Sequence, residues 1–142
     1  MVGILLLSHG RMAEGMIDSC KLFFGDDIPQ LRAVCLHVGD TPEEYDEQIK
    51  KAIEEVDDGH GVIALVDLFG GTPSNRCSLL LNDNLQVITG MNLPVLLELL
   101  NMRIFADDLT NIKIQTLLDA SKDGVIHLNE KMNAQEEEDS LF

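Results

Sequence analysis

Residues 2–7, VGILLL, form a nearly unbroken apolar run, which Ser8, His9 and Gly10 break off. So short a run, containing Val and Ile and lacking polar alternation, suits a strand buried on both faces of a parallel sheet. Helical spacing resumes at once, with Met12, Met16, Ile17, Cys20, Phe23 and Phe24 on one side. His9 therefore stands where a buried strand hands over to a helix. Open α/β sheets bind ligands at the carboxyl ends of their strands, where helix amino termini attract anions. A histidine there is a candidate for chemistry on a phosphate-like group. The plainer alternative is a turn histidine that caps the helix.

The rest of the chain repeats the strand–helix alternation. Gly25-Asp26-Asp27 stops the first helix, Pro29 follows, and residues 31–38 read as the second strand. Thr41-Pro42-Glu43-Glu44 has the form of a helix start, with Thr41 as N-cap, Pro42 in the first turn and Glu44 completing a capping box. Tyr45, Ile49, Ala52, Ile53 and Val56 form that helix's apolar stripe. Residues 61–68, GVIALVDL, are a second buried strand with Asp67 at its polar end. Helix signals over 73–81, a strand over 85–89, a leucine-rich helix over 93–104 and a further helix over 109–121 follow. A short last strand is expected at 124–128, and the acidic residues 130–142 read as a frayed, flexible tail. This pattern predicts one domain over 1–129, an open, mostly parallel sheet of about five strands with helices on both faces.

Charge and cysteine usage narrow the function. Ten basic against 25 acidic residues give a formal net charge of −15, which opposes binding to nucleic acid or anionic lipid. A phosphate site on this chain must therefore supply its own local donors. No apolar run approaches the ~20 residues needed to span a bilayer. No basic region precedes the first strand, so no secretory signal is expected. Cys20, Cys35 and Cys77 are scattered in apolar contexts and odd in number, which is not a disulfide framework. A reducing, cytoplasmic setting fits.

The two most buried-looking strands end in His9 and Asp67. If they are parallel neighbours, both side chains lie at the carboxyl edge one strand spacing apart, ~5 Å. A carboxylate accepting from one imidazole nitrogen fixes the tautomer and leaves the other nitrogen as nucleophile. Gly70 and Gly71 let backbone N–H groups approach closely, Thr72 adds a hydroxyl, and Pro73 opens a helix whose amino end faces the site. The turn lacks the lysine and spacing of a nucleotide-binding loop, GxxxxGK[ST]. Capping or turn roles remain the alternatives for Asp67 and for the glycines taken singly. Jointly, the set reads as a histidine that accepts and releases a phosphoryl group. His37, His60 and His127 show no metal-ligand spacing, so no metal and no cofactor is expected.

At these residues the chain resembles the IIA component of the mannose class of the bacterial phosphoenolpyruvate-dependent sugar phosphotransferase system. The matching pieces are LLLSHG with AEG soon after, VDLFGGTPSN, and GMNLPVLLELL, spread over about residues 1–129. The resemblance implies a mostly parallel sheet whose last strand is antiparallel and exchanged in a homodimer. It implies that His9 takes a phosphoryl group from the phosphocarrier HPr and passes it to an EIIB component. Asp67 would orient His9, and Gly71 and Thr72 would hold the phosphoryl group. Ser8, Gly10, Gly70, Ser74 and Asn75 would be neighbours. Membrane contact would be indirect, through EIIC and EIID. The chain stops after a short acidic tail, where some members continue through an Ala/Pro-rich linker, so a free-standing IIA with a separate EIIB is expected. Arg11, aromatic in at least one well-known member, reads as a solvated helix residue.

Three rivals stay open at this point. A tetrapyrrole metal chelatase also opens with a strand ending in His-Gly, but needs a second histidine facing His9 and leaves VDLFGGTP unexplained. A non-catalytic regulatory or flavodoxin-like module would bind its ligand regardless of His9. The phosphotransferase subunit of dihydroxyacetone kinase shares the active histidine, whereas the GGTP turn and the NLPVLLELL segment favour the sugar class.

Overall fold

In the computed structural model, which describes residues 1–140, strand β1 (Gly3–His9) leads into helix α1 (Met12–Phe24) and then strand β2 (Leu31–Leu36). Helix α2 (Pro42–Val56), strand β3 (Val62–Val66), helix α3 (Gly71–Ser78) and strand β4 (Leu85–Thr89) follow. Helices α4 (Leu93–Phe105), α5 (Ile114–Asp123) and α6 (Leu128–Ser140) complete the described chain. The strands form one parallel sheet in the order β2-β1-β3-β4.

Alternate residues of β1 feed two separate cores. Ile4 and Leu6 face α1, α4 and α5, packing with Ala13, Cys20, Leu96, Leu99 and Leu117. Leu5 and Leu7 face α2 and α3, packing with Tyr45, Ile49, Val56 and Cys77. Burial on both faces is why β1 and β3 read as continuous apolar runs with no polar alternation. The sheet order also reverses at this pair. From β1 the chain moves to β2 over one face, and from β3 it moves to β4 over the other, so the loops after β1 and β3 diverge and leave a crevice at their carboxyl ends.

The expected α2 start forms as read. The Thr41 hydroxyl accepts from Glu44 N at 3.1 Å and the Glu44 carboxylate accepts from Thr41 N at 3.1 Å, with Pro42 in the first turn. Helix α3 begins at Gly71, two residues earlier than expected, so the glycine pair lies in and before its first turn. The single helix expected over 109–121 splits into a 3-10 turn at Leu109–Asn111 and α5, because the Asp108 side chain caps the turn by accepting from Thr110 N.

The expectation of a fifth strand needs correction. The sheet has four strands among the described residues, and 124–128 is not a fifth. Val125 and Ile126 are exposed there, with no strand of their own chain beside them, and α6 takes over at Leu128. The stretch read as frayed is helical to Ser140, and α6 buries none of its residues.

Candidate phosphoryl-transfer site

His9 is the last residue of β1, and Asp67 is the first residue beyond β3. The two strands are hydrogen-bonded neighbours, with Leu7 opposite Val66, so their ends project side by side. One carboxylate oxygen of Asp67, Oδ2, accepts from the His9 backbone N–H at 2.8 Å and lies 2.8 Å from His9 Nδ1. The other, Oδ1, accepts from Leu68 N at 2.9 Å. The Asp67 backbone N–H donates in turn to Leu7 O at 3.0 Å. Asp67 is thus fixed from three sides, and its side chain is only 7% exposed while that of His9 is 47% exposed.

A carboxylate only accepts, so the proton between the pair resides on His9 Nδ1. The lone pair of the ring is left on Nε2, at the open edge. Gly71 lies against that side of the ring. Its backbone has φ +77°, and a Cβ there would stand 2.9 Å from His9 Cε1 and 3.1 Å from Nε2. Gly70 also has positive φ, +87°. Two such glycines turn the chain sharply enough to bring the amino end of α3 beside the imidazole.

The remaining expected residues fall into two groups. Thr72 is half-buried and Ser74 is buried in the first turn of α3, while Asn75 is exposed. Ser8 and Gly10 are neighbours through the backbone, and Ser8 has a role not read from the sequence. Its buried hydroxyl accepts from Ala13 N at 2.8 Å and donates to Gly10 O at 3.1 Å. Ser8 therefore caps α1 from inside the strand, where Arg11 at the N-cap position makes no side-chain cap. Gly10 N donates to Leu36 O at 2.7 Å, and Met91 N donates to Val66 O at 2.9 Å, so the loops after β1 and β4 are both tied to neighbouring strand ends.

A second support was also missed. Arg76 on α3 grips Asp46 on α2 with two guanidinium nitrogens, Nε to Oδ1 at 2.8 Å and Nη2 to Oδ2. The guanidinium holds the Asp46 carboxyl below the usual range by hydrogen bonding and charge, against the opposing effect of partial burial. Among the described residues Arg11 pairs with Glu14 alone, at 3.4 Å on the exposed surface, as expected of a solvated residue. His60, just before the amino end of β3 and so at the other end of that strand from Asp67, pairs with Asp58, and His127 pairs with Glu130.

A family described as EIIA-man, PTS system fructose IIA component, matches residues 3–118. The chain belongs to this family. It is an EIIA-type phosphotransfer component of sugar uptake, in the mannose, fructose and sorbose class. The fructose-specific EIIA component of Bacillus subtilis is 30% identical over 118 residues, 80% of this chain and 80% of that protein. The sorbose-specific EIIA component of Klebsiella pneumoniae is 32% identical over 113 residues, 77% of this chain and 82% of the relative. Among solved structures, a PTS IIA protein associated with the fucose utilization operon of Streptococcus pneumoniae superposes with a TM-score of 0.80 at 27% identity. The match covers 93% of this EIIA chain and 99% of that one.

Proposed function

We propose that His9 is the phosphorylated residue of this EIIA chain, taking the group from HPr and passing it to an EIIB component. The observation that carries this is the 2.8 Å contact between His9 Nδ1 and the triply anchored Asp67, which leaves Nε2 free beside Gly71. In the forward step Nε2 attacks phosphorus, the P–N bond to the donor imidazole breaks, and the donor nitrogen keeps the electron pair. The His9 ring gains positive character, which the Asp67 carboxylate offsets. Transfer to EIIB reverses the roles. Such chemistry asks the protein for positioning and charge stabilisation, and the fixed carboxylate supports both.

Gly70, Gly71, Thr72 and Ser74 line the amino end of α3 as the phosphoryl-binding turn. Residues 1–129 form the working domain and 130–142 an acidic extension. Two chains pair by exchanging 124–128, whose exposed Val125 and Ile126 have no strand in their own chain, as an antiparallel strand. The protein works in the cytoplasm and meets the membrane only through EIIC and EIID. No helix of the described residues is long and apolar enough to cross a membrane.

Phosphoenolpyruvate, enzyme I and HPr together are expected to label the protein with an acid-labile phosphate, and His9→Ala to abolish the label. Labelling that survives His9→Ala would refute the assignment. Thr72→Ala is expected to be milder, about 1.5–3 kcal/mol for one hydrogen bond to an anionic phosphoryl oxygen.

A further inference from the structure

Residues 68–75, LFGGTPSN, carry no charge in a chain of net charge −15. Within that stretch Phe69 is 86% exposed and Leu68 is 48% exposed. They sit between Asp67, which holds the imidazole, and the Gly70-Gly71 turn that flanks its free nitrogen. Met12 and Val38, at the start of α1 and just after β2, are exposed at the same carboxyl edge. A phenylalanine offers ~150–250 Å² of surface that water disfavours.

The site is open. Grooves of about 280 and 320 Å³ lie elsewhere, along the β2 edge and beside the end of α2, and neither is lined by His9 or Phe69. Under the proposed function, what meets this edge during transfer is a protein that brings its own phosphorylated side chain. A phosphohistidine is anionic, and the uncharged stretch is where it approaches an acidic chain at least electrostatic cost. Affinity then comes from apolar contact, in the manner of an aromatic anchor at an interface centre.

We infer that Phe69, supported by Leu68, is the anchor on which the phosphoryl-donor protein docks to present its phosphohistidine to His9. The inference rests on His9 being the acceptor. Phe69 touches neither the bond that breaks at the donor nitrogen nor the bond that forms at Nε2, so its loss weakens docking and spares the chemistry.

The test compares two donors. Phospho-HPr must dock; phosphoramidate is a small molecule whose P–N bond breaks on attack by Nε2, with ammonia leaving. Phe69→Ala is expected to raise KM for phospho-HPr at least tenfold, with kcat within twofold and the phosphoramidate rate unchanged. Phe69→Leu should recover most of the loss. Leu22→Ala, an exposed apolar residue near the far end of α1, should match the wild type with both donors. An unchanged KM in Phe69→Ala overturns the inference, as does a parallel loss with phosphoramidate, which would put Phe69 in the chemistry. A weakened dimer with unchanged KM assigns Phe69 to a second copy of the chain and overturns it too. Failure of both donors to label wild-type His9 is a separate pattern: it removes His9 as acceptor, and this inference with it.

Discussion

Gly71 lies so close to His9 that no other residue fits beside the imidazole, since a Cβ would come 2.9 Å from Cε1 and 3.1 Å from Nε2. The glycine thus sets the wall against which Nε2, the proposed phosphoryl acceptor, is held. Gly71→Ala forces either the ring or the loop to move and adds strain at φ +77°, ~1–2 kcal/mol. Gly25 supplies the control, because it has φ +83° with nothing within 4 Å of its Cβ position. Both alanine variants are expected to lower the melting temperature, and only Gly71→Ala to lose phosphoryl transfer, by on the order of 100-fold. Equal transfer rates in the two variants would remove the wall from the mechanism.

Asp67 accepts three hydrogen bonds, two of them from backbone N–H groups. Asp67→Asn keeps the size of the side chain but replaces one acceptor oxygen by a donor and removes the negative charge. The imidazole then loses the partner that fixes its tautomer and, with it, the charge proposed to offset the phosphorylated ring. Transfer is expected to slow by on the order of 100-fold with the fold retained. Circular dichroism and the rate of labelling from phospho-HPr measure the two quantities; an unchanged rate rules out the orienting role.

His9 and Asp67 were legible in the sequence because each ends an apolar run, and two strands buried on both faces belong side by side at the sheet centre. The α2 start was legible because a capping box is built from residues within one turn of chain. Other features depend on distance. Arg76 and Asp46 are 30 positions apart, and each alone reads as a solvated helix residue. Ser8 caps α1 from five residues upstream of the N–H it accepts, with two glycine-and-arginine turn residues intervening. Residues 124–128 have the composition of a strand, but strand formation needs a neighbour, which the single chain does not provide there.

All three cysteines are free and buried. Burial pushes the Cys77 thiol up to about 11 and raises that of Cys20 as well. The thiolate is the reactive form, and burial of all three side chains bars a reagent from them. At pH 8 the native protein is therefore expected to resist an aromatic disulfide reagent and to react with three equivalents only on unfolding. A thiol that reacts within seconds in the native state would show that one of the two core layers opens readily.

The Arg76–Asp46 pair ties α3, which carries the turn proposed to bind the phosphoryl group, to α2. Because Arg76 holds Asp46 below its ordinary value of 3.8, the folded state binds that proton less readily than the unfolded chain. The pair therefore stabilises the fold fully above the unfolded value, and the contribution fades as pH falls through the lower folded value. Asp46→Asn, which retains hydrogen bonding but not charge, is expected to melt a few degrees below the wild type at pH 7. The two melting temperatures should converge toward pH 2, because the wild-type carboxyl then becomes neutral as well. Both side chains are partly exposed, which keeps the effect modest and makes it shrink in high salt. A melting difference that persists unchanged at low pH would assign the loss to packing of the α2–α3 contact and not to the charge of the pair.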